Sequence, residues 1–95
     1  MAQQTTRALR YLGGQTLTNP SNVALAFPYG ATTAILAAET GPCYWAIGDA
    51  ATTSSPGFVA TNTYQVLGPL SDDAIAKGVY TSGTCVLHVT YWQGV

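Results

Sequence analysis

His88 is the only histidine of the chain, and nucleophilic catalysis would need it as a base beside a serine or cysteine. It falls in the middle of an alternating stretch in which Val86 and Thr90 share its face. No motif places an acidic residue or a nucleophile next to it. We interpret His88 as a surface or interface histidine, and a small hydrolase that uses His88 with a cysteine or serine is the weakest functional hypothesis.

Two further features have the residue types of catalytic or phosphate-binding motifs without the required spacing. Asp72 and Asp73 are adjacent, so their carboxylates point in different directions, and we expect a helix cap or a solvated turn there. Gly13-Gly14 and Gly41-Pro42 lack the lysine and the hydroxyl residue of a phosphate-binding loop and are interpreted as turns. The sequence therefore predicts neither a catalytic site nor a cofactor.

Cys43 and Cys85 fall in predicted strands among neighbours that are expected to face the core. Residues 1–6 lack the basic region and the apolar run of a secretory signal, so we expect the chain to be made in the cytoplasm. Cysteines there are usually buried free thiols, and a disulfide is the alternative. Together with His88 they provide three candidate ligands, whereas a structural zinc site needs four, so we expect no metal.

Charged side chains make up 7% of the 95 residues, and the formal net charge is −1. An average soluble domain has roughly 25% charged residues. Three basic residues cannot neutralise enough phosphates to bind nucleic acid, and no apolar stretch approaches the roughly 20 residues that cross a bilayer. We therefore expect no nucleic-acid or membrane partner, and a surface of Thr, Ser, Asn, Gln, Gly and Ala that packs against other proteins.

Partner-binding residues are expected among the aromatic and basic side chains outside the core. Trp92 lies on the opposite face of its strand from Leu87 and Val89, and tryptophan and tyrosine are favoured interface anchors. The basic residues near the N-terminus either grip an acidic patch on a partner or are ordinary solubilising charges, and both interpretations stay open. The expected interface residues are Arg7, Arg10, Tyr11, Tyr29, His88 and Trp92.

Closely spaced glycine and proline turns divide the chain into short pieces rich in Thr, Val, Tyr and Ile, which is typical of an all-β fold. The predicted architecture is a single antiparallel, jelly-roll-like β-sandwich with an extended N-terminal arm. Residues 1–12 form the arm and first strand, and residues 13–95 form the sandwich domain. A polar loop is expected over residues 48–57 and one helical turn or irregular loop over residues 71–77, with strands at residues 8–12, 23–27, 32–39, 43–47, 64–67, 79–81 and 84–92.

Period-two alternation assigns the faces of these strands. In the last strand, Cys85, Leu87, Val89 and Tyr91 are expected to face the core. In the strand at residues 43–47, the inward side chains are expected to be Cys43, Trp45 and Ile47. Residues 32–39 are apolar on both sides, which predicts a central strand that is covered on both faces.

Four stretches of the chain together resemble a group of small β-sandwich virion proteins of tailed bacteriophages. They are Ala31-Thr32-Thr33-Ala34-Ile35-Leu36-Ala37-Ala38-Glu39, then Tyr44-Trp45-Ala46-Ile47-Gly48, the loop from Ala51-Thr52 to Pro56-Gly57, and Gly83-Thr84-Cys85-Val86-Leu87-His88-Val89-Thr90-Tyr91. The resemblance covers residues 31–95. It implies a structural, non-enzymatic protein that decorates or cements the capsid, or that lies at the head–tail junction or a fibre attachment.

The resemblance also implies partners and a location. We expect contacts with further copies of this chain, as a trimer or dimer, and with the major capsid protein or other virion proteins. The protein would be made in the host cytoplasm and end in the virion. A carbohydrate-binding β-sandwich module is the alternative, in which Tyr11, Tyr29 and Trp92 would form a sugar-stacking platform.

Overall fold

The computed structural model describes residues 9–48 and 57–94. Residues 1–6 of the predicted arm, Arg7 and most of the predicted polar loop lie outside the described residues. The described part of the chain contains eight strands and one short helix. In chain order these are β1 (Leu9–Thr18), β2 (Val23–Ala24), β3 (Thr33–Glu39), β4 (Cys43–Ile47), β5 (Gly57–Val59), β6 (Tyr64–Leu67), α1 (Asp72–Lys77), β7 (Val79–Ser82) and β8 (Val86–Gly94).

The strands form two antiparallel sheets of four strands each, which confirms the prediction of an all-β protein. Sheet 1 has the strand order β1-β8-β3-β6, and sheet 2 has the order β2-β7-β4-β5. Buried side chains of both sheets belong to one hydrophobic core. Leu36, Val89 and Tyr91 contribute to it from sheet 1, and Val59 and Val79 contribute from sheet 2.

Strand β1 is longer than predicted, because Gly13 and Gly14 lie inside it and do not form a turn. A bulge between Tyr11 and Gly13 shifts the register against β8, and Gly13 adopts a φ of 134° that favours glycine. A Cβ atom on Gly14 would lie 2.7 Å from the carbonyl oxygen of Val89. These glycines therefore allow a bulge and a close strand approach.

Strand β2 is shorter than predicted, whereas strand β5 was not predicted at all. Strand β2 ends at Ala24, although strand structure was predicted to residue 27. Strand β5 begins at Gly57, where the polar loop was predicted to end. Gly57 pairs with Trp45, and a Cβ atom there would lie 2.3 Å from the indole ring, so β5 can lie against this ring only with glycine at that position.

Helix α1 follows the expected capping pattern. Ser71 is the N-cap, and its hydroxyl oxygen accepts a hydrogen bond from the backbone N–H of Ala74 at 3.1 Å. Asp72 and Asp73 lie in the first turn, where a carboxylate interacts favourably with the helix dipole. The Lys77 Nζ atom lies 3.1 Å from Asp73 Oδ2, and both side chains are exposed. The acidic pair is thus part of a helix start, as predicted.

Four strands form one long antiparallel ribbon that is bent across both sheets. Strands β3 and β8 pair in sheet 1, and β4 and β7 pair in sheet 2. The chain passes directly from β3 to β4 and from β7 to β8, so each side of the ribbon changes sheets through residues 40–42 or 83–85. A Cβ atom on Gly41 would lie 2.0 Å from the carbonyl oxygen of Thr84. Glycine is therefore required where the two sides of the bend meet.

Candidate interaction surface

The alternation predicted for the last strand is confirmed. Leu87, Val89 and Tyr91 are buried, and the side chains between them lie on the other side of β8. Residues that pair directly across antiparallel strands share a face, so the ladders extend this side over all of sheet 1. We call it the outer face of sheet 1. It comprises Leu9, Tyr11, Gly14, Thr16, Thr18, Thr33, Ile35, Ala37, Glu39, Tyr64, Val66, Val86, His88, Thr90, Trp92 and Gly94.

The outer face of sheet 1 is partly open and has several exposed apolar side chains. Tyr11, Tyr64 and Val66 are 56%, 70% and 49% exposed. Ile35 and Ala37 of the central strand β3 are half-buried on this side, whereas Ala34, Leu36 and Ala38 are buried on the core side. The predicted central position of β3 is confirmed. On the outer face, the described residues cover β3 only in part.

Tyr11 and Trp92 form an aromatic pair at one end of this face. They are direct partners across β1 and β8, and their ring centroids lie 5.3 Å apart at 64° in an edge-on arrangement. The indole N–H of Trp92 donates to the hydroxyl oxygen of Thr90 at 2.9 Å. Because the polar atom of the indole is satisfied within the chain, a partner could cover the Trp92 ring without leaving the indole N–H unpaired.

Two other predicted residues lie at the same end of sheet 1. Arg10 precedes Tyr11 in β1, pairs with Gln93 and is exposed. Tyr29 is fully exposed in a turn closed by a hydrogen bond from the N–H of Ala31 to the carbonyl of Pro28 at 3.0 Å. Gly30 lies against the Gln93 side chain, which a Cβ atom would approach to 3.1 Å. Tyr11 and Trp92 are thus in ring contact, Arg10 and the turn of Tyr29 lie near the same end of sheet 1, and Arg7 lies outside the described residues.

His88 lies on the same face, four residues before Trp92 in β8. Its Nε2 atom is 3.7 Å from Glu39 Oε2, and its Nδ1 atom is 3.4 Å from the hydroxyl oxygen of Thr16. A hydroxyl, an imidazole and a carboxylate are the groups of a nucleophilic triad, and sequence reasoning found neither neighbour. Here the three side chains are exposed on an open sheet face, and both distances exceed those of well-formed hydrogen bonds. They form a weak polar row across β1, β8 and β3.

Ionisable groups are sparse on this face. Apart from the two tyrosines, Glu39 and His88 are its only ionisable side chains among the described residues. The ion pair of helix α1 belongs to a different part of the chain. A partner that covers the outer face of sheet 1 would therefore remove few charges from water, which avoids the main cost of burying polar surface.

Sequence reasoning did not select the aromatic and aliphatic residues at the far edge of sheet 1 or on sheet 2. Tyr64 and Val66 of β6 are exposed on the outer face. On sheet 2, Phe58 is 49% exposed and lies across from Tyr44, with ring centroids 5.3 Å apart. Alternation along the predicted strand at residues 64–67 carried the signal for Tyr64 and Val66. Phe58 follows the predicted loop, so no strand pattern marked its orientation.

Comparison with known proteins identifies no relative: no family model, curated protein or solved structure matches this chain. Among residues 9–48 and 57–94, no helix is long and apolar enough to cross a membrane. The same part of the chain contains no cluster of three or more His, Cys, Asp or Glu side chains that would suit a metal ion. Function is therefore argued from the fold and the outer face of sheet 1.

Proposed function

We propose that this chain is a non-enzymatic structural protein of a bacteriophage virion, which decorates or cements the capsid through protein–protein contacts. The observation that supports this proposal best is the outer face of sheet 1, a broad β surface with exposed aromatic and aliphatic side chains and a single carboxylate. Such a surface can be covered by a partner with little loss of charge hydration. The sequence resemblance supplies the class of partner.

The Tyr11–Trp92 pair is the proposed anchor of this contact. Interface energy concentrates in a few aromatic and arginine side chains that are surrounded by less important contacts. Tyr11 and Trp92 are in edge-on contact, Arg10 is the next residue along β1, and Tyr29 projects fully into solvent at the same end of the sheet. The half-buried Ile35 and Ala37 would form the adjoining apolar part of the contact.

The finer architecture belongs to the same proposal. The shared core supports two sheets packed as a jelly-roll-like β-sandwich. Strand β1 is at the edge of sheet 1, so an N-terminal arm that precedes it would leave the fold at a sheet edge, where an extended segment can contact a neighbour. In this proposal the arm precedes β1, and β1 belongs to the sandwich domain. The predicted boundary between residues 12 and 13 falls inside this strand, which runs from Leu9 to Thr18.

The proposed partners are other copies of this chain, arranged as a trimer or dimer, and the major capsid protein or another virion protein. Closed symmetric assemblies are the usual form of homo-oligomers. The protein would be made in the host cytoplasm and would function in the virion. The alternative location is the head–tail junction or a fibre attachment. There the protein would bind a different virion protein through the same outer face of sheet 1.

Quantitative mass spectrometry of purified phage particles that encode this chain tests the proposal. A capsid decoration protein is expected in a fixed ratio to the major capsid protein, close to one copy per capsid subunit or one per symmetry position. A much lower ratio would move the protein to the junction or a fibre. Its absence from particles that are otherwise complete would contradict a virion function.

A carbohydrate-binding module is the second candidate, because Tyr11, Tyr29 and Trp92 lie at one end of the sheet. Aromatic rings that stack on sugars are favoured where their faces are open to solvent. A glycan that binds there would change the fluorescence of Trp92 in the native protein and leave that of Trp45 unchanged. The Trp45→Phe variant isolates the Trp92 signal, and an unchanged spectrum across a glycan panel would exclude this candidate.

A further inference from the structure

The bend of the β3–β4/β7–β8 ribbon contains the same three-residue pattern twice. Gly41-Pro42-Cys43 forms one side of the bend, and Gly83-Thr84-Cys85 forms the other. The first segment leads into β4 of sheet 2, and the second leads into β8 of sheet 1. Each side of the bend therefore carries one cysteine, and the two cysteines are attached to different sheets.

The two segments are in reciprocal backbone contact. A Cβ atom on Gly41 would lie 2.0 Å from the carbonyl oxygen of Thr84, and one on Gly83 would lie 2.6 Å from the carbonyl oxygen of Pro42. The same position on Gly83 is 3.2 Å from the Cα atom of Cys43 and 3.4 Å from the Sγ atom of Cys85. The glycines thus remove the side chains that would keep the two cysteines apart.

Both thiols lie inside the fold, close to the same glycine of the bend. Cys43 and Cys85 are 0% and 1% exposed and belong to the hydrophobic core. They are free thiols, and the Cys43 thiol donates a hydrogen bond to the carbonyl oxygen of Tyr44 at 3.6 Å. The second segment is also fixed from outside, because the N–H of Asn19 donates to the carbonyl of Cys85 at 2.7 Å. The pair is therefore held in place by backbone contacts on both sides.

We propose that Cys43 and Cys85 form a disulfide under oxidising conditions, which links the two sheets covalently across the bend of the ribbon. With a glutathione disulfide as oxidant, one cysteine thiolate attacks it, forms a mixed disulfide and releases one glutathione thiolate. The second cysteine attacks the protein sulfur of that mixed disulfide and releases the second glutathione. Two protein thiols are oxidised, one glutathione disulfide is reduced to two thiols, and the two protons end on the two glutathiones.

The folded protein protects the reduced form. Burial raises the pKa of the Cys43 thiol to about 12, and burial also raises the pKa of Cys85. Since the thiolate is the reacting species, oxidation proceeds when the bend opens or while the chain folds, and is slow in the closed native state. A chain that folds in a reducing cytoplasm would thus keep both thiols and acquire the link later. This inference does not depend on the proposed virion function.

Refolding of the full chain in a glutathione redox buffer tests the disulfide directly. The chain is unfolded in denaturant, refolded with a mixture of oxidised and reduced glutathione, alkylated in denaturant and weighed by mass spectrometry. We expect a monomer that has lost two hydrogens and takes up no alkylating reagent. Its Tm should fall by on the order of 10 °C when the same sample is reduced. Two alkylated thiols, stable glutathione adducts, or a Tm that rises on reduction would overturn the proposal.

Single and double variants separate the disulfide from other effects of oxidation. In Cys43→Ser or Cys85→Ser, the remaining cysteine has no partner, so the Tm of each variant should be the same in oxidising and reducing buffers. The Cys43→Ala/Cys85→Ala double variant gives the stability without any thiol. If either serine variant does not fold, the double variant serves as the control. A Tm difference between buffers that persists in the double variant would also overturn the proposal.

Discussion

The indole N–H of Trp45 donates a hydrogen bond to the side-chain oxygen of Gln65 at 3.2 Å. Trp45 belongs to β4 of sheet 2, and Gln65 belongs to β6 of sheet 1. The two residues therefore join the sheets through side chains, at a position where Trp45 also packs against the core. The expected core location of Trp45 is confirmed as a half-buried one, with the polar atom of its ring directed to the opposite sheet.

We expect Gln65→Leu to lower the free energy of unfolding by roughly 1–2 kcal/mol, because it leaves the half-buried indole N–H without its acceptor. Trp45→Phe removes the donor together with part of the ring and should cost more. Urea denaturation of both single variants and the double variant measures the coupling between the two side chains. A coupling energy near zero, where about 1 kcal/mol is expected, would show that this bond does not contribute to stability.

Tyr11→Ser tests the proposed anchor. Tyr11 is 56% exposed and contacts Trp92 by its ring, so its removal should cost about 1 kcal/mol of stability or less. If the outer face of sheet 1 is the contact surface, the same change should weaken binding to capsids that lack this protein at least about tenfold. Co-sedimentation with such capsids measures the binding.

Phe58→Ser is the matched control for Tyr11→Ser. Phe58 is 49% exposed and also forms a cross-strand aromatic pair, but this pair lies on sheet 2. The control should lose a similar amount of stability and keep its affinity for the capsid. Equal binding losses in both variants would mean that sheet 1 has no special role.

Gly41→Ala should be strongly destabilising, because the added methyl group would lie 2.0 Å from the backbone carbonyl of Thr84. Backbone cannot move aside as a flexible side chain can, so we expect a loss of roughly 3 kcal/mol or more. Thr84→Ala keeps the carbonyl and changes only an exposed side chain, so it should cost less than about 0.5 kcal/mol. Thermal unfolding of the two variants decides whether the close contact in the bend is required.

Stability should decrease at alkaline pH. Burial raises the pKa of the Cys43 thiol from 9.0 to about 12 and that of the Tyr91 hydroxyl from 10.0 to about 12. Below pH 9 both groups are protonated in the folded and the unfolded chain. Between pH 9 and pH 12 the unfolded chain loses protons that the folded chain retains, so the free energy of unfolding falls as the pH rises.

Urea denaturation of the reduced protein from pH 7 to pH 11 measures this effect. We expect a flat profile to about pH 8.5 and a loss of roughly 4 kcal/mol by pH 11. In the Cys43→Ala/Cys85→Ala double variant, which has no buried thiol, the decline should begin about one pH unit higher, where the unfolded tyrosine starts to ionise. A profile that stays flat to pH 11 would show that neither buried group is coupled to folding.

Much of the fold could be predicted, because alternation of apolar and polar residues indicates strand faces, and turn residues indicate where strands end. The bounds of β4 and β6 match the prediction, and the inward face of β8 is the one that period-two alternation assigned. The bulged course of β1 could not be predicted, since Gly13-Gly14 has the same appearance in a turn and in a close strand contact. Gln15 gives a second example. It lies on the core side of β1 and accepts hydrogen bonds from the Ala26 N–H and the Tyr91 hydroxyl, partners that are distant in sequence.

The candidate surface could be predicted in part for a similar reason. Alternation placed Trp92 and His88 on the face away from the core, and the structure agrees. The partners of these residues lie on other strands, so the sequence did not show that Tyr11 covers an edge of Trp92 or that Glu39 lies beside His88. Such contacts depend on which strands pair with each other. Alternation along one strand shows which side chains share a face, but it does not show which strand lies beside it.

The pairing of β1 with β8 brings Leu9 opposite Gly94, so both ends of the described chain emerge side by side at one corner of sheet 1. A tensile force applied through these two ends would load the hydrogen bonds between β1 and β8 one after another, from that corner inward. Antiparallel strands that are pulled in this direction separate like a zipper and resist only weakly. In the proposed virion role, attachments through the faces of the sheets would therefore hold a swelling particle better than attachments through the two chain ends.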